Sequence, residues 1–291
     1  MPNLKHIKVR IKSIKSTQKI TQAMKLVAAS KVRKAQIRVL NSRPYTSQIV
    51  NFIEKAVSAL PISDREEIPL MKKREVKSVA LVIITSDRGL CGSYNTNILK
   101  TAAKRILNLK KSNIGAKLIV VGNKASGFFK RGNIEIIDSF TQLPAVPTVE
   151  LANLIAASAE NAFINKVVDS VEIIGANFVS MLRNEVYTQN FLPIIGQQSD
   201  TNKQSAVMLF EPSLSAVLDS LLPLYLSNAI YHALLEASCS ELASRMNAMS
   251  SATKNAKELI EKLTIVYNKV RQAAITQELA EIVGGANALK A

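Results

Sequence analysis

Apolar residues at the start of the chain recur at spacings of three and four. Leu4, Ile7, Ile11 and Ile14 share one helical face. Lys5, Lys8, Lys12, Lys15 and Lys19 follow one position later as a cationic stripe. The apolar pattern weakens at Ser16-Thr17-Gln18 and is expected to resume in a shifted phase through Ile20, Met24 and Val27. No Gly lies between Asn3 and Leu60, and Pro44 is the one proline, where the helix kinks or its first part ends. One long helix is expected over residues 1–60, reaching roughly 80 Å at about 1.5 Å per residue.

The other end carries a longer pattern. Leu235, Cys239, Leu242, Met246, Met249, Thr253, Ala256, Ile260, Leu263, Tyr267, Val270 and Ala274 are separated by four and three in strict alternation, with neither Gly nor Pro among them. An amphipathic helix on a globular core needs a period of 3.6, which drifts by about 20° per heptad, so the sustained repeat points to a coiled coil. Read from Leu224, past Pro223, to Val283, this helix reaches roughly 90 Å. Gly284-Gly285 is the expected stop. Winding the two terminal helices together as an antiparallel pair covers both stripes.

Between them the periodicity changes. Residues 61–75 hold two prolines and mixed charge and read as a linker. Residues 76–205 alternate strand-like runs (79–85, 117–121, 134–137) with helical patterns at 94–109, near Ser126 and at 148–168. Two further strands, 171–181 and 185–195, suggest a hairpin across Arg183-Asn184, before a polar stretch at 197–205 and the C-terminal helix segment, 206–291. Such alternation argues an α/β layer with a mainly parallel sheet. The expected fold class is therefore α/β: a long antiparallel coiled coil of N- and C-terminal helices on a Rossmann-like α/β domain.

Charge sharpens this picture. Of the net +16, residues 1–60 carry +12, from 13 Lys/Arg against the single acid Glu54. A basic arm on a near-neutral body calls for an acidic partner: nucleic acid, anionic lipid or acidic protein. No apolar run is long enough for a membrane span. Cys91 and Cys239 have no metal-ligand spacing, and His6 and His232 leave almost no candidates for a histidine base. Cys239 and His232 follow the heptad phase and read as packed residues.

Two glycine loops invite a phosphate reading, and neither has the residues for it. Ser86-Asp87-Arg88-Gly89-Leu90-Cys91-Gly92-Ser93 follows the first strand and opens a helix, but lacks GxGxxG and a GK[ST] ending, so a turn without ligand is favoured. Gly122 to Gly127 has P-loop spacing yet continues Phe128-Phe129 in place of Lys-Ser/Thr. No metal cluster or carboxylate dyad is visible. The arm lacks aromatic residues for base stacking in residues 1–44 and also has the composition of a transit peptide, so composition alone leaves those readings open.

Three stretches resemble the gamma subunit of the F-type ATP synthase. Ile20-Thr21-Gln22-Ala23-Met24-Lys25-Leu26-Val27-Ala28-Ala29-Ser30-Lys31 is similar to that family's KIT-x-AM-x-MVAASK segment, and SDRGLCGSYN (Ser86 to Asn95) to its loop after the first strand. Ile275-Thr276-Gln277-Glu278 with Glu281 and Gly285-Ala286 fits its ITxExxE pattern followed by GA. The resemblance runs over essentially the whole chain. Lys25 and Leu26 stand where many relatives have an acidic residue and Met, and Leu242 where Gln or His is common. The cysteine-bearing insert of plant chloroplast forms is absent.

The resemblance implies a non-catalytic central rotor shaft, with no cofactor and no metal. Its partners would be the alpha and beta subunits of the catalytic ring, the epsilon subunit and the membrane rotor ring, with no nucleic acid and no lipid-spanning segment. It implies contacts with a beta subunit at Met24, Arg245, Gln272, Thr276 and Glu278, the last four in one catch on the C-terminal helix. Phe210 and Glu211 would lie in the foot near the rotor ring. A start at Met1 without a presequence suggests the cytoplasmic face of a bacterial inner membrane. A basic coiled-coil adaptor for nucleic acid is the alternative, and an α/β enzyme comes third.

Overall fold

The computed structural model describes residues 4–59, 68–132, 134–194 and 214–288. They fall into two compact units, Met1–Ala29 with Arg245–Ala291, and Ser30–Ser244. Helix α1 (Leu4–Ala59) and the C-terminal helix (Leu214–Ala288) each contribute to both.

In the first unit both helices are covered along a seam. On α1 the covered positions include Leu4, Ile7, Ile11, Ile14, Gln18, Thr21, Lys25 and Ala28, a heptad in one phase, with Met24 and Ala29 half-buried beside it. The expected shift at Ser16-Thr17-Gln18 is corrected: Ile20 and Val27 are 57% and 56% exposed, and the polar Gln18 and Thr21 occupy the seam instead. On the C-terminal helix Met249, Thr253, Ala256, Ile260, Leu263, Tyr267, Val270 and Ala274 are buried or half-buried, while 275–285 are exposed throughout. The seams meet at a polar layer, where the Thr21 and Thr253 hydroxyls lie 2.9 Å apart. The Thr21 hydroxyl donates to the Gln18 carbonyl at 3.0 Å, which leaves its lone pairs to accept from Thr253.

The C-terminal helix begins ten residues earlier than Leu224 and runs through both proposed terminators. Pro223 removes one backbone donor, but buried Leu218, Leu222 and Leu226 anchor the turns on either side of it. Gly284 and Gly285 continue the helix, since glycine permits an αL cap without enforcing one.

The second unit contains a five-stranded sheet. Its elements are β1 (Ser78–Ile84), α2 (Tyr94–Lys111), β2 (Gly115–Val121), α3 (Asn123–Phe129), β3 (Ile136–Phe140), α4 (Val149–Ile164), β4 (Ser170–Phe178) and β5 (Asn184–Leu192), before the C-terminal helix, α5. The strand order is β3-β2-β1-β4-β5, parallel except for the antiparallel β4–β5 hairpin. The parallel strands 3-2-1-4 have the order of a doubly wound sheet, as the Rossmann-like expectation requires.

Strand β1 reads as a continuous apolar run because both faces of the sheet are covered. Val79, Leu81 and Ile83 pack with Ile98, Ala102, Ala125 and Phe129 of α2 and α3. Ala80, Val82 and Ile84 face a larger core built by Ile53, Ala56 and Val57 of α1, by α4, and by Leu218 to Ala237 of α5. Part of the expected linker belongs to that core: Ile68, Leu70 and Met71 are buried around a 3-10 turn at Pro69–Met71. Thr148 caps α4 by accepting from the Leu151 N–H, and Arg74 donates to the Phe163 carbonyl at 2.8 Å at the helix's other end.

Candidate functional site

The most distinctive motif, SDRGLCGSYN, is consumed by its own hydrogen bonds. The Asn95 carboxamide accepts from the Ser86 N–H at 3.1 Å and donates to the Cys91 thiol at 3.0 Å, and the Ser86 hydroxyl donates to the Arg88 carbonyl at 2.8 Å. Asp87 accepts from the Asn123 N–H at 2.8 Å and from the Leu143 N–H, tying the loops after β1, β2 and β3 together. Thr85 accepts from the Ala125 N–H at 3.0 Å, and the Ser86 carbonyl from Lys124 N–H at 3.2 Å. The first three N–H groups of α3 are thereby occupied, so the GNKASG segment offers no phosphate cradle. Gly122 is required there: its φ is +94°, and a Cβ would sit 2.4 Å from the Thr85 carbonyl oxygen. Cys91 is buried, and burial pushes the Cys239 thiol up to about 12, so neither thiol is set up as a nucleophile.

A second polar centre joins α1, β4 and α5. Glu236, 2% exposed, accepts from Arg43 Nε at 3.0 Å and from the Phe178 N–H at 2.8 Å, while Arg43 Nη2 donates to the Phe178 carbonyl at 2.9 Å. His232 Nε2 lies 3.5 Å from Glu236, and its Nδ1 is 3.0 Å from the Ser42 hydroxyl. Burial lowers the His232 pKa, with Arg43 adding to the fall and Glu236 opposing it. Nearby, Lys31, Lys34 and Arg38 rim a cleft of about 250 Å³ floored by Leu235 and Leu242.

The residues expected to contact a beta subunit lie in the first unit. Met24 is half-buried beside the seam, and Arg245 is half-buried on α5. Gln272, Thr276 and Glu278 are exposed, and the Thr276 hydroxyl donates to the Gln272 carbonyl at 3.0 Å. A single catch formed by all four α5 residues does not fit the helix. The 27 residues from Arg245 to Gln272 span about 40 Å, so they make two places, not one. Phe210 and Glu211 lie outside the described residues.

The sequence reading did not single out the exposed apolar side chains of this unit. Val9, Ile20, Leu26 and Val27 on α1, with Ile265, Ile275, Leu279, Ile282 and Val283 on α5, are all exposed. Neither seam buries these side chains. The signal was present as apolar residues that fall out of heptad phase. No helix among the described residues is long and apolar enough to cross a membrane.

Comparison with known proteins agrees over the full length. A sequence model of the ATP synthase family matches residues 3–289. The ATP synthase gamma chain of Trichormus variabilis is 44% identical over 315 residues, covering 99% of this chain and all of that one. That of Synechocystis is 42% identical with the same coverage. With 315 aligned residues against 291 here, at least 24 positions of the Trichormus variabilis alignment have no counterpart in this chain. Among solved structures, a chain from the central stalk and c-ring of Tetrahymena thermophila mitochondrial ATP synthase is 28% identical, with a TM-score of 0.59 over 80% of this chain and 99% of that one. A chain of the Euglena gracilis mitochondrial enzyme has the same fold, with a TM-score of 0.70 at 20% identity over 98% of this chain and 94% of that one.

Proposed function

Because the chain belongs to the ATP synthase gamma chain family, we propose that it acts as the central rotor shaft of an F-type ATP synthase, coupling proton-driven rotation of a membrane ring to ATP synthesis at an alpha/beta ring. The observation that carries this reading is the first unit: two seamed helices that leave large apolar side chains (Val9, Ile20, Leu26, Val27, Ile265, Leu279) and most lysines of α1 exposed among polar residues. A self-contained protein gains nothing from such a surface, whereas a shaft turning inside a ring of subunits needs one. The nucleic-acid adaptor has no counterpart among the relatives named above.

The mechanism follows from asymmetry. A shaft without threefold symmetry meets each of three beta subunits differently, and differential contact biases each catalytic site toward a different affinity. The chain supplies no catalytic residue; its work is to present these contacts in turn. Met24, Arg245, Gln272, Thr276 and Glu278 are the proposed contacts with beta subunits, and Phe210 and Glu211 those near the rotor ring. The epsilon subunit would join the α/β domain, and the chain would sit peripherally at the cytoplasmic face of a bacterial inner membrane. The +12 arm, with Lys31, Lys34 and Arg38, would face acidic loops of the ring. Mass spectrometry of the intact native complex tests this: one copy of the chain per three alpha and three beta subunits is expected. Recovery with nucleic acid and without ring subunits would overturn it.

A further inference from the structure

From Glu236 to Ser244, helix α5 offers one polar side chain per turn to the β4–β5 hairpin. Glu236 accepts from the Phe178 N–H at 2.8 Å, the Ser240 hydroxyl donates to the Ala176 carbonyl at 3.3 Å, and the Ser244 hydroxyl accepts from the Asn184 carboxamide at 2.7 Å. Their spacing of four puts all three on one face. Arg43 closes the arrangement from α1. It donates to Glu236 Oε1 at 3.0 Å and to the Phe178 carbonyl at 2.9 Å, so both polar groups of that residue's backbone are gripped.

The surroundings are apolar: Val32, Ala35, Val39, Leu235, Cys239, Ala243 and Phe178. Apolar burial is non-directional, so a smooth helix packed this way can turn or slide with little change in buried area. Hydrogen bonds weaken steeply with angle and length. Three of them at successive turns fix both the rotation of α5 about its axis and its position along the strand.

We propose that Glu236, Ser240 and Ser244, with Arg43, are positioning residues that lock α1 and α5 in rotational register with the sheet, so that torque passes between the helices and the α/β domain. This rests on the rotor-shaft reading. The lock touches no nucleotide site; it decides whether turning the domain turns the helices with it.

The test replaces the ion pair, whose Glu236 is buried and whose Arg43 is exposed, with apolar side chains, so that no charge is left unpaired while the directional bonds are removed. Arg43→Met with Glu236→Leu is assembled with alpha, beta, epsilon and the membrane ring in vesicles, beside wild type. Occupancy and ATP hydrolysis are expected to stay within about twofold of wild type, while protons pumped per ATP fall at least threefold. Arg43→Lys, which keeps the charge, is expected to recover part of that ratio. If the apolar pair does not assemble, Ser240→Ala with Ser244→Ala is read in the same way. Wild-type pumping per ATP in the assembled variant overturns the lock. Absence of pumping by the wild-type complex overturns the rotor-shaft reading and the lock with it.

Discussion

Replacing Asp87 separates a structural role for the SDRGLCGSYN loop from a ligand-binding one. The carboxylate holds the Asn123 and Leu143 N–H groups, and each bond to a charged acceptor contributes about 1.5–3 kcal/mol. Asp87 is half-buried, so water recovers part of that when it is removed. Asp87→Ala is therefore expected to cost about 2–4 kcal/mol of the second unit's stability, and Asp87→Asn, which keeps one acceptor oxygen, about half as much. At roughly 2–4 °C per kcal/mol for a domain of this size, the alanine variant should melt roughly 4–16 °C lower. Thermal unfolding followed by circular dichroism measures this, with ATP titration calorimetry on the same samples. The isolated wild-type chain is expected to bind no ATP at micromolar concentration, and Asp87→Ala to leave that unchanged. An unshifted melt, with ATP binding that the wild type shows and the variant loses, would refute the structural assignment of the loop.

Met24→Lys should leave helicity intact and reduce coupling, because a new ammonium beside the seam adds a charge-assisted bond of about 1.5–3 kcal/mol in one rotary state; proton pumping per ATP equal to wild type would count against it. Arg245→Ala and Gln272→Ala should each lower turnover or occupancy of reconstituted complexes severalfold, given about 1.4 kcal/mol per factor of ten, with exposed Lys257→Ala as the unaffected control. His232, facing Glu236, Arg43 and Ser42, has its pKa lowered by burial. Below the unfolded value of about 6.5 the unfolded chain binds the proton more readily, so stability should fall as pH drops through that range. The urea midpoint should therefore be lower at about pH 5.5 than at pH 7.5, and His232→Gln should shrink that difference.

The heptads, the strand runs and the hairpin were legible because period and burial coincide there. Legibility failed where they part. Ile20 and Val27 are apolar and exposed, while Gln18 and Thr21 are polar and covered, so a hydrophobicity pattern alone invents a phase shift that the backbone does not make. Pro223 and Gly284 look like terminators locally, but whether a helix ends there depends on what packs around it. Leu70 and Met71 sit in a proline-rich stretch and still enter the core. The Glu236–Ser240–Ser244 face was readable as a spacing of four, yet without the β4–β5 hairpin there was nothing for it to bond. The two-place arrangement of Arg245 and Gln272 needed only the helix rise, once α5 was known to be continuous.

Rotation itself is the most direct test of the central claim. Both native cysteines are buried, so a thiol label on Leu107→Cys, a position 59% exposed, would react alone. In surface-tethered complexes with alpha and beta subunits, adding ATP should turn the label continuously in one direction. A label that stays still in complexes shown to hydrolyse ATP would contradict the account.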